Sequence, residues 1–298
     1  MMTPMRIVTR ADLDGIACAV LLRHVVTVSD YRFTEAFPLQ HGELAIQSND
    51  IITNLPYAEG CALWFDHHAS NEPKVPRPGK WAVAPSAARV VYDYYGHNRF
   101  PGCDRMVVET DRVDSATITA EEIANPSGYF LLELTINPKK PADEPYWRKL
   151  INLLFEANGE VEPVLQESET AQRAHVVLSE LDEYRDAISS RSRLEKMVVV
   201  TDLRGLERVP AENRFLVYGM FPAAEVSIKL AEVHNEKGHM VKISLGRSIL
   251  NTRSTVNLGE LLTQYGGGGH TAAGSVHVPF GKEEAVYREL LTKIQAAS

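Results

Sequence analysis

Three short acidic segments carry residue types suited to phosphoryl chemistry. Asp12 and Asp14 lie two apart in Thr9-Arg-Ala-Asp-Leu-Asp-Gly15, Asp66 directly precedes His67 and His68, and Asp111 and Asp114 lie in Glu109-Thr-Asp-Arg-Val-Asp-Ser-Ala116. Carboxylates two apart at a strand end both turn toward one crevice if the chain leaves the sheet between them. Hard oxygen ligands joined by one or two imidazoles suit Mn²⁺ or Mg²⁺ better than Zn²⁺. One such ion polarises a phosphoryl oxygen and lowers the pKa of a bound water, and a second clamps the attacking and leaving oxygens. Each segment also has a plainer reading. Asp14, directly before the apolar stretch Gly15–His24, has the place of a helix N-cap, and a His-His pair sits as readily on a surface.

A different signal lies near the other end. Gly266, Gly267, Gly268 and Gly269 run directly into His270. Successive backbone N–H groups in a turn without side chains form a nest for an anion, because nothing blocks the approach of a phosphate. A flexible linker is the alternative, but strand-like Ala-Gly-Ser-Val-His-Val-Pro resumes almost at once. Arg247 and Arg253, upstream in Ser244–Thr255, either add bidentate phosphate contacts or are ordinary solvated arginines.

The elements that must position these residues change character along the chain. Met5–Thr9, Asp50–Thr53 and Ala62–Phe65 read as short buried strands, and Gly15–His24 and Ser86–Tyr95 as helices. Strands interleaved with helices predict a parallel α/β sheet, with ligands at the carboxyl ends of the strands. Pro145–Ala157 and Val161–Glu195 read as helix. Met197–Leu203, Arg214–Phe221, Glu225–Val233 and His239–Leu245 read as strands. A short helix over Leu258–Tyr265, a strand over Gly274–Pro279 and a closing helix over Glu283–Ala297 complete the pattern. This predicts three parts: a parallel-sheet α/β domain over 1–160, a helical linker over 161–195 and a smaller mixed-sheet α/β domain over 196–298.

Composition narrows the function. The 298 residues carry a net charge of −8, with 44% hydrophobic residues. A grip on long duplex DNA through the overall field calls for a basic surface, so any phosphate contact is expected in a local pocket. No apolar run nears the roughly 18 residues of a membrane span, and the first residues lack the layout of a signal peptide. Cys18, Cys61 and Cys103 are too few and too scattered for a disulfide framework or a thiolate zinc site. A cytoplasmic protein is expected, and the long middle helix offers a surface for a homodimer.

Taken together, Asp12-Leu-Asp-Gly15, Asp66-His67-His68, the Asp111–Ala116 segment and Gly266–Gly274 resemble the DHH phosphoesterase superfamily over nearly the whole chain. That superfamily includes RecJ-like exonucleases, oligoribonuclease and pAp phosphatases, cyclic-dinucleotide phosphodiesterases, family II inorganic pyrophosphatases and exopolyphosphatase-related enzymes. The resemblance implies a parallel α/β domain, a helical linker and a mixed-sheet DHH-associated domain, with substrate between the domains and two Mn²⁺ or Mg²⁺ ions on the first. It assigns Asp12 to the first ion. Asp14, His67 and one of Asp111 or Asp114, with Asp111 preferred, go to the second. His68 faces the scissile phosphate, Asp66 orients the histidine pair, and the glycine segment, His270, Arg247 and Arg253 hold the substrate's phosphate end.

Two positions depart from the family pattern. The histidine expected two or three positions before the first aspartate is replaced by Thr9 or Arg10, and the bridging aspartate by Asn54, Asp50 being a poorer match. Arg10 adds a cation where a metal is expected. Two like charges at about 4 Å repel by roughly 4 kcal/mol at an effective dielectric near 20. The expectation is therefore a metal-dependent phosphoesterase acting on a small phosphate ester, short single-stranded oligonucleotide or polyphosphate, with Arg10 standing in for one ion. The alternative is a degenerate member that binds a nucleotide or phosphate without hydrolysis.

Overall fold

The computed structural model describes residues 3–208, 213–235 and 238–297. The first apolar run forms β1 (Met5–Thr9) and leads into α1 (Leu13–Val25). Every residue from Leu13 to Leu22 is buried, which explains why this helix is apolar around its whole circumference. It is followed by β2 (Val28–Phe33), α2 (Ala36–Gln40), β3 (Asp50–Thr53), β4 (Leu63–Asp66) and β5 (Gly79–Trp81). The five strands form one parallel sheet in the order β2-β1-β3-β4-β5. Side chains alternate across it: Ile7, Ile51 and Phe65 enter the core built around α1, while Val8, Ile52 and Trp64 pack with Leu39, Leu55 and Cys61 on the other face. Burial on both faces accounts for strands that read as continuous apolar runs.

The helices α3 (Ala87–Tyr95), α4 (Asp104–Asp114), α5 (Ala120–Ala124), α6 (Gly128–Leu134), α7 (Glu144–Glu156), α8 (Val161–Gln166) and α9 (Ser168–Arg191) follow. The expected continuous helix over 161–195 is broken at two places. Glu167 is extended, and its carboxylate accepts hydrogen bonds from the Glu169 and Thr170 amides at 3.0 and 3.2 Å, starting α9 afresh. After Arg191 the chain becomes β6 (Ser192–Glu195), pairing antiparallel with β7 (Val198–Asp202).

The remaining elements are α10 (Leu216–Met220), β8 (Val226–Asn235), β9 (Gly238–Arg247), α11 (Leu258–Thr263), β10 (Gly268–His270), β11 (Ala273–Pro279) and α12 (Glu283–Ala297). The strand expected over Arg214–Phe221 is instead the helix α10. Its buried residues Leu216, Val217 and Tyr218 are consecutive, a short apolar run that periodicity does not resolve. The second sheet runs β10-β11-β9-β8-β7-β6 and is mixed, since β7 and β8 are parallel and its other pairs antiparallel. It has its own core, with Val198, Ile228, Ile243 and Val276 packed against Leu262 of α11 and Leu290 and Ile294 of α12.

Two compact units result, one of Met1–Thr117 with Ser127–His175, the other of Ile118–Pro126 with Val176–Ser298. The division falls inside α9, not near residue 195, and α5 belongs with the second unit. There the Ile123 carbonyl accepts from Asn213 Nδ2 at 3.0 Å, and the Ala124 carbonyl from Arg185 at 2.9 Å. The fold class is α/β with a parallel first sheet and a mixed second one. Among the described residues no helix is long and apolar enough to cross a membrane, and all three cysteines are buried free thiols.

Gly15 lets α1 close onto the end of β1. A Cβ there would lie 2.2 Å from the Arg10 carbonyl oxygen and 2.6 Å from Thr9 Oγ1, whereas at Gly268 it would meet nothing within 4 Å. Overpacking of this kind costs roughly 1–3 kcal/mol. Thermal denaturation should show Gly15→Ala with a clearly lowered Tm and Gly268→Ala close to wild type; equal Tm values for the two would remove this steric account.

Candidate metal centre and active site

The turn after β1 places its two aspartates differently. Asp12 is the N-cap of α1 and accepts from the Gly15 amide at 2.9 Å, so the capping place anticipated for Asp14 belongs to Asp12. Asp14 is buried in the first turn of α1, and its carboxylate accepts the Ala87 and Ala88 amides of α3 at 2.9 and 2.7 Å. A helix N-terminus thus supplies two of its free N–H groups to a buried anion. Ser86, the N-cap of α3, marked that helix start in the sequence, but nothing local showed that Asp14 docks on it.

The Asp66-His67-His68 segment leaves the end of β4. Asp66 is fully buried, and its oxygens accept from His68 Nδ1 at 2.7 Å and Asn71 Nδ2 at 2.6 Å. That pairing pushes the His68 pKa up against the opposing effect of burial. His67 is fixed from the other side: its Nδ1 lies 3.1 Å from the Ala84 carbonyl. A carbonyl can only accept, so Nδ1 donates to it and Nε2 is the ring nitrogen left to face the carboxylates. Nε2 is buried with no hydrogen-bond partner, 3.3 Å from Asp114 Oδ2 and 3.8 Å from Asp14 Oδ2.

Asp114, at the end of α4, is therefore the acid that meets His67, and the preference for Asp111 is corrected. Asp111 lies one helical turn earlier and is occupied elsewhere, accepting from Ser86 Oγ at 2.6 Å and from Arg89 at 2.7 and 3.0 Å. The Asp111–Arg89–Ser86 contacts tie α4 to the start of α3, which carries the amides that hold Asp14.

Ligand atoms of Asp14, His67 and Asp114 all lie within 4.8 Å of one another. Burial, with the charges of Asp114 and Asp12, pushes the Asp14 pKa well above the carboxylate range despite the Ala88 and Ala87 amides. The Asp114 pKa is also raised, by burial and by Asp12 after the opposing pull of His67. Two carboxylates facing an imidazole nitrogen that has no hydrogen-bond partner fit a divalent cation. Asp66, His67 and His68 also approach one another closely, but there the carboxylate is saturated by hydrogen bonds.

Around Asp12 the cation is already built in. Arg10 lies 3.3 Å from Asp12 Oδ2 and 3.4 Å from Glu35 Oε2. Burial pulls the Arg10 pKa down, but Asp12, Glu35, Asp114 and Asp14 outweigh it. Asn54 donates its Nδ2 to Asp12 at 2.9 Å and keeps a buried Oδ1 without a partner. Neither Glu35 nor Glu133, which accepts the Leu13 amide at 2.7 Å, was anticipated. Both act across long sequence separations that no local pattern records.

In the second unit the glycine run is not a turn-shaped nest. Gly268–His270 is a strand paired with β11, and the glycines answer a packing demand. A Cβ would lie 2.6 Å from the Ser275 carbonyl oxygen at Gly267, 2.3 Å from that of Ala273 at Gly269, and 2.4 Å from that of Gly269 at Gly259. Gly266 has φ +77, and Gly269 and His270 are exposed. Arg247 ends β9. Arg253 lines a cavity of about 570 Å³ with Pro222, Ala223, Leu250, Asn251 and Thr252. Neither guanidinium has an ion pair among the described residues.

No protein-family model matches the chain, and no curated protein does. Among solved structures, a pGpG-specific phosphodiesterase, PggH from Vibrio cholerae, is 31% identical over 99% of this chain and 100% of its own, with a TM-score of 0.87. The chain belongs to the DHH phosphoesterase superfamily. Two more distant structures share the fold. RecJ from Thermus thermophilus in complex with Mn²⁺ is 16% identical, covering 98% of this chain and 51% of its own at a TM-score of 0.54. CDC45 from Entamoeba histolytica is 7% identical over 98% and 95%, at 0.51.

The raised Asp114 pKa has a definite sign in the metal-free protein. A carboxyl whose folded pKa exceeds its unfolded value near 3.9 contributes stability below that value, lost as pH rises through the folded pKa. At pH 7.5 in EDTA, Asp114→Asn should therefore melt above wild type, and the upward Tm shift that Mn²⁺ gives wild type should vanish. An unchanged Mn²⁺ shift in the variant would exclude Asp114 from the site.

Proposed function

We propose that this DHH phosphoesterase hydrolyses the phosphodiester bond of a short linear oligonucleotide of the pGpG class, with one Mn²⁺ or Mg²⁺ ion held by Asp14, His67 and Asp114. The carrying observation is the buried His67 Nε2, unpartnered and aimed between two carboxylates. Asn54 adds its unpartnered Oδ1 as a neutral oxygen. The relation to a pGpG-specific phosphodiesterase over the full length of both chains supports the substrate class.

Such an ion, when bound, supplies Lewis-acid polarisation of a phosphoryl oxygen and a water of lowered pKa. The chain's own residues do the rest. His68, held by Asp66 and with a raised pKa, keeps its proton toward neutral pH and donates it to the leaving 3′ oxygen. Water oxygen joins phosphorus as the P–O3′ bond breaks, so one dinucleotide yields two mononucleotides. Arg10 holds fixed positive charge beside Asp12, where the family pattern has its first ion, and stabilises the charge on the phosphoryl oxygens in the transition state. Asp111 acts as a positioning residue through Arg89 and Ser86. Within the second unit, Arg247, Arg253, the Gly266–Gly269 run and His270 form a separate phosphate-binding surface. The catalytically silent alternative is disfavoured because Asp14, His67 and Asp114 keep a ligand set while Arg10 takes the place of the other ion.

With Mn²⁺ and pGpG, chromatography should reveal conversion to GMP, and His68→Ala should lower kcat about 10²- to 10⁴-fold with little change in KM. Absence of turnover by wild type with Mn²⁺ or Mg²⁺ on pGpG, pApA and short oligoribonucleotides would overturn this reading. Metal analysis provides a separate check on Arg10. Wild type should retain about one Mn²⁺ per chain, and Arg10→His combined with Asn54→Asp about two, the ion count expected for the family's paired site; two ions in wild type would refute the stand-in role.

A further inference from the structure

We propose that Phe37 forms a nucleobase-stacking subsite on the rim of the active site, an inference that rests on the oligonucleotide reading above. The end of β2 is clipped to the end of β1 by the Thr34 amide, which donates to the Thr9 carbonyl at 3.0 Å. The next residue, Glu35, is the N-cap of α2 and lies 3.4 Å from Arg10, whose other partner is Asp12. The start of α2 thus stands on the same carboxyl edge of the sheet as Asp12, Asp14, His67 and His68.

Within α2 the core position is taken by Leu39, 5% exposed, while Phe37 is 63% exposed. The Phe37 ring is nevertheless held. His41 stacks on one face with ring centroids 3.9 Å apart and planes 27° from parallel, and His41 Nδ1 is tied to the Phe37 carbonyl at 2.9 Å. One face of the phenyl ring is covered by an imidazole tethered to the Phe37 carbonyl, and the ring as a whole remains 63% exposed. An aromatic plate fixed in this way loses little side-chain entropy when a base settles on it, and such stacking favours no particular hydrogen-bonding pattern. Purines offer the larger π-face, so the subsite selects them over pyrimidines. A scissile phosphodiester at the Asp14–His67–Asp114 cluster has a nucleoside on each side of it, and Phe37 takes one of the two bases.

The second unit contains a matched control. Phe280, 52% exposed, stacks on His239 with centroids 4.1 Å apart and planes at 15°. That pair lies at the beginning of β9, the opposite end of the strand from Arg247.

The test compares wild type, Phe37→Ala, Phe37→Trp and Phe280→Ala. Steady-state kinetics on pGpG should give Phe37→Ala a KM raised about tenfold, equivalent to about 1.4 kcal/mol, with kcat within twofold. Phe37→Trp and Phe280→Ala should stay near wild type, and the preference for pGpG over pUpU should shrink only in Phe37→Ala. A dinucleotide carrying 2-aminopurine, mixed with each protein in EDTA, should lose fluorescence on wild type and recover most of it on Phe37→Ala. An unchanged KM for pGpG in Phe37→Ala overturns the subsite. If wild type turns over no dinucleotide, the functional reading fails separately, and the quench alone decides: equal quenching by wild type and Phe37→Ala, or none by either, also overturns the subsite.

Discussion

The arrangement depends on the electrostatic problem of Asp14. Its carboxylate is buried between Asp12 and Asp114, and the two amides of α3 do not offset the burial and repulsion that raise its pKa. A folded chain tolerates such a concentration of negative charge when cations or oriented dipoles neutralise it. The two ends of this cluster are treated differently. At Asp12 the positive charge is covalent, supplied by Arg10, which Glu35 holds in place. At Asp14 and Asp114 no arginine or lysine forms an ion pair among the described residues, and His67 Nε2 points into the gap. That asymmetry separates a permanent charge from an exchangeable one.

Much of the surrounding structure serves to keep those groups aimed. Glu133 accepts the Leu13 amide and Asp12 accepts the Gly15 amide, so the first turn of α1 is pinned at two points. Asp66 spends its oxygens on His68 and Asn71, while the Ala84 carbonyl fixes the orientation of the His67 ring. Asp111, which looks from sequence like the better ligand, aligns α4 with α3 through Arg89 and Ser86 instead. Charged groups used this way contribute little by their number; their value lies in fixing angles and protonation states at the cluster.

The legible part of this protein was the part written locally. The parallel α/β unit followed from apolar runs alternating with helical stretches, and Asp12, Asp14, His67 and His68 could be placed at strand ends from their neighbours alone. Choosing between Asp111 and Asp114 required knowing the face of α4 that meets β4, a tertiary fact. Glu133 and Glu35 act over separations with no sequence trace. Arg214–Phe221 misled because three consecutive apolar residues fit a buried strand and one buried helical turn equally well. Val161–Glu195 has the composition of one helix for a related reason: Glu167 interrupts it by capping the next one, a role that composition does not announce.

The glycine run shows how one sequence feature supports two physical accounts. Bare residues in series allow an anion to approach the backbone, and they also allow backbones to approach each other. The structure selects the second for Gly267 and Gly269, whose missing Cβ atoms leave room for carbonyls of β11 at 2.6 and 2.3 Å from the positions those atoms would fill. The close pairing of β10 with β11, and of Gly259 with Gly269, then sets where exposed His270 emerges. If phosphate is held there, the glycines act by letting the strand lie deep enough to present His270, and the anion is met by a side chain on a rigid strand instead of by a ring of amides. A site built that way is shaped by packing, so its geometry is as fixed as the core of the second unit beneath it.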